Sequence, residues 1–199
     1  MTDARGGEVV FLAHCLLNQN TRYLGGATCA GAVEPALSEY LRQGTGIVQL
    51  PCPEQRVWGR VLKTRLLWLI EHPRIARAAP LFVPVVRAYL RLRYAHLARR
   101  VARDIDDYAR CGFAVRGIVG VAGSPSCGVH STLDLRQAAA ALAARRQAPT
   151  AAWMNTEVVA PAIRPGTGLF IEAIGHRLAR RHREVALLEQ VLPPDQPPG

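Results

Sequence analysis

The chain of 199 residues is long enough for one well-buried domain and too short for a second full one. Its 49% hydrophobic content excludes an intrinsically disordered chain. The net charge is +10, and Lys63 is the only lysine among 25 basic residues, so the surplus is carried by arginine. Such a surplus reads first as a solvated arginine surface; the functional alternative is attraction of an anionic ligand or nucleic acid. The polar N-terminus does not resemble a signal peptide. The most apolar stretch, residues 66–90, is broken by Glu71, His72, Arg74, Arg77, Arg87 and prolines, short of the ~20 clean residues a spanning helix needs. A cytoplasmic protein is expected. Five cysteines there argue against a disulfide framework and for metal binding or catalysis.

In chain order, residues 8–14 read as a continuously apolar strand, buried on both faces. A polar, glycine-bearing loop covers 18–26. Residues 32–43 read as a helix ended by Gly44, and 46–50 as a second strand. The basic block 57–110 is the least regular. It suggests a short helix at 63–70, a proline-marked connection, and a long helix at 85–109. Val86, Tyr89, Leu90, Arg93 (by its stem), Leu97, Val101, Ile105 and Tyr108 form that helix's apolar stripe. Arg87, Arg91, Arg99, Arg100 and Arg103 form its basic face. Cys111-Gly112 closes it, with Gly112 as a left-handed cap.

Residues 113–121 read as a third strand. A helix over 133–146 follows, with Ser131 and Asp134 in capping-box spacing. Residues 149–154 are a candidate fourth strand. The segment 168–171 is either a short strand or the entry to a last helix that ends near Leu192, and the Pro-rich tail 193–199 is expected to be frayed. This alternation predicts one α/β domain over 1–192, a three-layer Rossmann-like fold with a mainly parallel sheet.

Three cysteines fall where three strands are expected to end: Cys15, Cys52 and Cys127. In open α/β sheets that rim is where ligands bind. Cys52 lies between Pro51 and Pro53, on a stiff, non-helical turn. Cys127 sits in Ser124-Pro125-Ser126-Cys127-Gly128, where exposed turn N–H groups could lower a thiol pKa. His14 precedes Cys15 and points to the opposite side of an extended chain, so it reads as a packed neighbour. Cys111 reads as a helix-terminal hydrophobe, and Cys29 could approach the site. Three thiolates without a clear fourth suggest either zinc seeking a histidine or an iron–sulfur cluster with one open iron.

Taken together, the motifs resemble the 2-thiouracil desulfurase family. They are His14-Cys15-Leu16-Leu17-Asn18, Arg22-Tyr23 with Gly25-Gly26, Cys52-Pro53-Glu54, Gly123-Ser124-Pro125-Ser126-Cys127-Gly128, and Gly168-Leu169-Phe170-Ile171-Glu172. The resemblance spans 9–54 and 113–172. It implies a [4Fe-4S] cluster held by Cys15, Cys52 and Cys127, with Glu54 as general acid/base and Ser124 or Ser126 as the family's serine. The chain departs from the family at Thr21, where many members have a second cysteine. It departs again at Leu24, where many have aspartate, and at Asn18 in place of glycine. Block 57–110 is also longer and more basic. These departures bear on substrate identity.

The leading expectation is an iron–sulfur desulfidase that removes sulfur from a small thiolated molecule as hydrosulfide, without redox chemistry. A nucleic-acid-binding protein using Arg99, Arg100 and Arg103 is the first alternative. A metal-free enzyme with Cys127 as nucleophile and His130 nearby is the second.

Overall fold

The computed structural model describes residues 3–61, 63–145 and 148–192. The expected frayed tail (193–199) and the expected helix end at Arg146 lie outside them. β1 (Glu8–Leu12) leads into the one-turn helix α1 (His14–Leu17) and a 3-10 turn at Gln19–Thr21. Helix α2 (Glu34–Arg42) returns the chain to β2 (Gly46–Gln49). Helices α3 (Pro53–Trp58), α4 (Thr64–Glu71) and α5 (Pro73–Arg110) precede β3 (Ala114–Val121). Then come β4 (Ser131–Leu133), α6 (Leu135–Ala144), and α7 (Ala151–Trp153), which runs on as a π-helix over Met154–Val159. The chain continues with β5 (Ile163–Pro165), α8 (Leu169–Ala179) and β6 (Leu187–Gln190).

The fold is α/β, of the expected Rossmann-like kind. Its main sheet is wholly parallel, in the order β2–β1–β3–β6. β4 and β5 form a separate antiparallel pair. Right-handed crossovers from β1 to β2 and from β2 to β3 run in opposite directions across the sheet, so α2 and α5 take opposite faces. α8 packs on α5. β1 is buried from Val9 through Leu12, as a central parallel strand must be. Phe11 meets Tyr108 of α5 edge-on at 5.9 Å between ring centroids. Phe170 of α8 meets Tyr94 of α5 in the same way at 6.1 Å.

Five expectations are corrected. The proline-marked connection does not exist: α5 is one 38-residue helix with Pro80 and Pro84 inside it. An internal proline removes one N–H and crowds the carbonyl four residues back, and here α3, α4 and α6 pack along the helix. Its buried stripe is Leu90, Tyr94, Ala98, Val101 and Ile105, while Tyr89 and Arg93 are exposed. Residues 149–154 are not a strand. Thr150 caps α7 by accepting from the Trp153 N–H at 3.1 Å. Asp134 alone caps α6, accepting from the N–H groups of Arg136 and Gln137, because Ser131 is held in β4. The last helix stops at Ala179 and β6 follows. Residues 187–190 have ordinary helix formers, and pairing with β3 overrides that preference.

No helix among the described residues is long and apolar enough to cross a membrane. Phe170 is wholly buried, so Phe170→Ala should lower unfolding free energy by about 3–5 kcal/mol. Urea denaturation followed by circular dichroism measures this; a loss below about 1 kcal/mol would place Phe170 outside the core.

Candidate active site

The strand order changes direction at β1, with β2 on one side and β3 on the other. The crevice at the carboxyl ends of β1 and β3 is therefore a topological switch point. Cys15 leaves β1 on α1, Cys52 follows β2, and Cys127 follows β3. All three line one cavity of about 650 Å³, together with Arg22, Glu54, Lys63, Ser124 and Ser126. Cys29 and Cys111 are not in its lining. The Cys29 thiol turns to the Ala32 carbonyl at 3.4 Å, and Cys111 is exposed.

Cys52 is the N-cap of α3, and Pro53 occupies the first helical position, where its missing N–H costs nothing. The Cys52 sulfur accepts the Gln55 N–H at 3.4 Å. The loop carrying Cys127 is tied from several sides. The Ser124 hydroxyl accepts the Cys127 N–H at 3.0 Å, and the Val121 N–H donates to the Cys127 carbonyl at 2.9 Å. The first turn of α8 donates to the same loop: Leu169 N–H to Pro125 O at 3.0 Å, and Phe170 N–H to Ser126 O at 2.9 Å. A Cβ on Gly168 would lie 2.5 Å from the Ser126 carbonyl carbon, and one on Gly128 would lie 1.9 Å from the Ser131 carbonyl oxygen. Those two glycines are therefore required by close approach. Glu189 of β6 completes the cradle, accepting the N–H groups of Val129, His130 and Ser131 at 2.7–3.1 Å. Partial burial raises the Glu189 pKa, but these donors outweigh it and hold the carboxyl below its ordinary value.

The two candidate serines lie with their hydroxyl oxygens 3.3 Å apart, and each has a further partner of its own. The Ser126 hydroxyl donates to Glu54 Oε1 at 2.9 Å, whereas the Ser124 hydroxyl serves the turn. Glu54 Oε2 lies 3.5 Å from Lys63 Nζ, and Lys63 also donates to the Thr21 carbonyl. Lys63 is only 4% exposed and adopts a left-handed backbone, φ 51°. This lysine is absent from the sequence-based site. Its signal was there: a single lysine in a chain that otherwise uses arginine.

The polar loop after α1 supplies part of the cavity lining, including Thr21, Arg22 and Tyr23. Gln19, almost wholly buried, donates to the Cys15 carbonyl at 2.6 Å and accepts the Thr28 N–H at 3.1 Å. The Arg22 guanidinium donates to the Gly26 carbonyl at 2.7 Å and lies over the Tyr23 ring. Asn155 of the π-helix accepts the Tyr23 hydroxyl at 3.0 Å and donates to the Gly25 carbonyl at 2.7 Å. No sequence signal marked Asn155, because a contact across 130 residues leaves no local pattern.

Burial dominates the electrostatics of the thiols. It pushes Cys52 up to about 11, with Glu54 adding to the effect. It raises Cys15 against the pull of Arg22. Cys127 is raised well above its ordinary value, by burial and then by the anionic forms of Cys15 and Cys52. His14 lines the cavity and pairs with Gln49; burial, then Lys63 and Arg56, hold it below the usual histidine range. His130 is exposed and outside the cavity lining. Among the described residues, no group of three or more His, Cys, Asp or Glu side chains is arranged to hold a metal ion. The fit of any metal group is therefore a question of donor chemistry, and the donors gathered are three thiols.

Comparisons with protein-family models, with curated proteins and with solved structures gave no match. The resemblance to 2-thiouracil desulfurases thus stands on the chain's own motifs.

Two outcomes check the site. In metal-free protein at about pH 8.5, near the unperturbed thiol value, iodoacetamide should label exposed Cys111 well before Cys52. Cys52 should react rapidly only as the pH approaches about 11; equal rates by peptide mapping would refute this. Gly128→Ala should speed Cys127 labelling at least about tenfold by loosening its loop, corresponding to about 1.4 kcal/mol. Gly175→Ala on α8, where a Cβ meets nothing within 4 Å, should leave that labelling unchanged.

Proposed function

We propose that the protein is an iron–sulfur-dependent desulfidase. It removes sulfur as hydrosulfide from a thiolated small molecule, a thiouracil-like heterocycle or related thio-compound. The observation that carries this is one cavity lined by three strand-end thiols and by the hydrogen-bonded pair Glu54–Ser126.

The donor set suits an iron–sulfur group. Thiolates are the usual ligands of such clusters. One buried and two half-buried thiols, each raised by burial, keep their protons until a cationic centre displaces them. Cys15, Cys52 and Cys127 would hold a [4Fe-4S] cluster, and the cavity lining has no fourth cysteine. When bound, the cluster supplies an open iron that polarises the thiocarbonyl as a Lewis acid.

The chain's own residues do the rest. The net change exchanges sulfur for oxygen at one carbon: a water oxygen bonds to the carbon, the C–S bond breaks, and sulfur leaves as hydrosulfide. No electrons are transferred. Glu54 takes the water proton at its carboxylate. Ser126 donates to Oε1 and sets the carboxylate's orientation. Lys63 Nζ, 3.5 Å from Oε2, holds the other carboxylate oxygen in place. Ser124 fixes the Cys127 loop and acts as a positioning residue.

Anaerobic reconstitution with iron and sulfide should give a brown protein with about four irons and four acid-labile sulfides per chain. Cys52→Ser should lose that iron, and Cys111→Ser should keep it. A colourless, iron-free protein would end the proposal. Glu54→Gln should retain iron while sulfide release falls roughly 10²–10⁴-fold.

One observation favours nucleic-acid binding as a second reading. Arg99 and Arg103 of α5 share a small cleft with Arg177, Arg180 and Arg181. Filter binding at low salt tests it: RNA retention should fall steeply with salt and weaken when Arg99, Arg100 and Arg103 are changed to alanine.

A further inference from the structure

The cavity is lined by residues of two kinds. The charged side chains lining it are Arg22, Glu54 and Lys63. Glu54 and Lys63 pair at 3.5 Å, and Arg22 lines the same cavity as the three thiols. Much of the remaining lining is apolar and comes from Ala79, Val83 and Val86 of α5, Leu142 of α6, and Met154 and Val158 of the π-helix. At about 650 Å³ the whole space lies in the range of sites that take drug-sized ligands. A single six-membered heterocycle does not fill a space of about 650 Å³, and covering the apolar lining it leaves bare with apolar ligand atoms is favourable.

We infer that the substrate carries an apolar substituent of several carbons, which lies against the apolar lining from α5, α6 and the π-helix while its thiocarbonyl end faces the three cysteines. The inference rests on the desulfidase proposal for the chemistry at the thiols and on the cavity alone for the apolar substituent.

The test uses two ligand series on the reconstituted protein. Sulfur-free 6-alkyluracils, from methyl to pentyl, are titrated by calorimetry. The matching 6-alkyl-2-thiouracils are assayed for sulfide release. Affinity in the first series should rise about three- to fourfold per added methylene, and kcat/KM in the second should rise in parallel. Ala79→Phe, which narrows the cavity at its apolar lining, should abolish the gain beyond the shortest chains; the wild-type series decides alone if that variant does not fold. Affinity independent of chain length overturns the inference. Sulfide release without chain-length preference also overturns it, while leaving the desulfidase proposal standing. Chain-length-dependent binding of the sulfur-free series without sulfide release from the thiolated one supports the apolar substituent and refutes the desulfidase chemistry.

Discussion

The first turn of α8 is the structural hinge of the site. A helix begins with N–H groups that have no partner inside it. In α8 the N–H groups of Leu169, Phe170 and Ile171 are satisfied by the carbonyls of Pro125 and Ser126. No side chain caps the helix; the Cys127 loop is its cap. The same bonds hold a loop that follows β3 with little regular structure of its own. Phe170 and Ile171 then anchor the helix in the core beneath. Core packing, helix capping and thiol placement are one unit, and displacing any part disturbs the others.

The second constraint is charge in a half-buried place. Burial raises the Cys52 and Cys127 thiols, and Glu54 adds to that rise by repelling their anionic forms. Lys63 offsets Glu54 at 3.5 Å and is itself tied to the Thr21 carbonyl. A left-handed backbone at a non-glycine residue costs on the order of 1–3 kcal/mol. The turn begun at Gly59, φ 87°, bears that strain at Lys63 and places a cation where an arginine's planar fork would not substitute for a compact ammonium.

Helix α5 serves both core and cavity. Its C-terminal half buries Leu90, Tyr94, Ala98, Val101 and Ile105 against the sheet and α8. Its N-terminal half, with Pro80 and Pro84, contributes small and β-branched side chains to the cavity wall. Burial raises the Tyr94 phenol pKa far above its ordinary value, with Glu54, Cys127 and Cys52 adding to it; the core beneath the site is dry enough to keep that phenol neutral.

Local patterns carried a good deal of this in the sequence alone. The continuously apolar run at β1 marked a buried parallel strand, and the Pro-Cys-Pro and Ser-Pro-Ser-Cys-Gly turns marked where strands stop. Both are short-range effects of backbone stiffness and side-chain burial, so they are written in neighbouring residues. The set Cys15, Cys52 and Cys127 followed from strand ends meeting at one rim. Tertiary structure decided what depends on distant partners. It separated Ser126 from Ser124 by giving one to Glu54 and the other to its own turn. It brought Lys63 and Asn155 to the site across long chain separations, and it excluded Cys29. It made residues 187–190 a strand, because an unpaired edge of β3 accepted them despite their helical preference. Propensity is worth tenths of a kcal/mol per residue, whereas a paired edge and a filled core are worth several. Where the two competed, the assembled structure won.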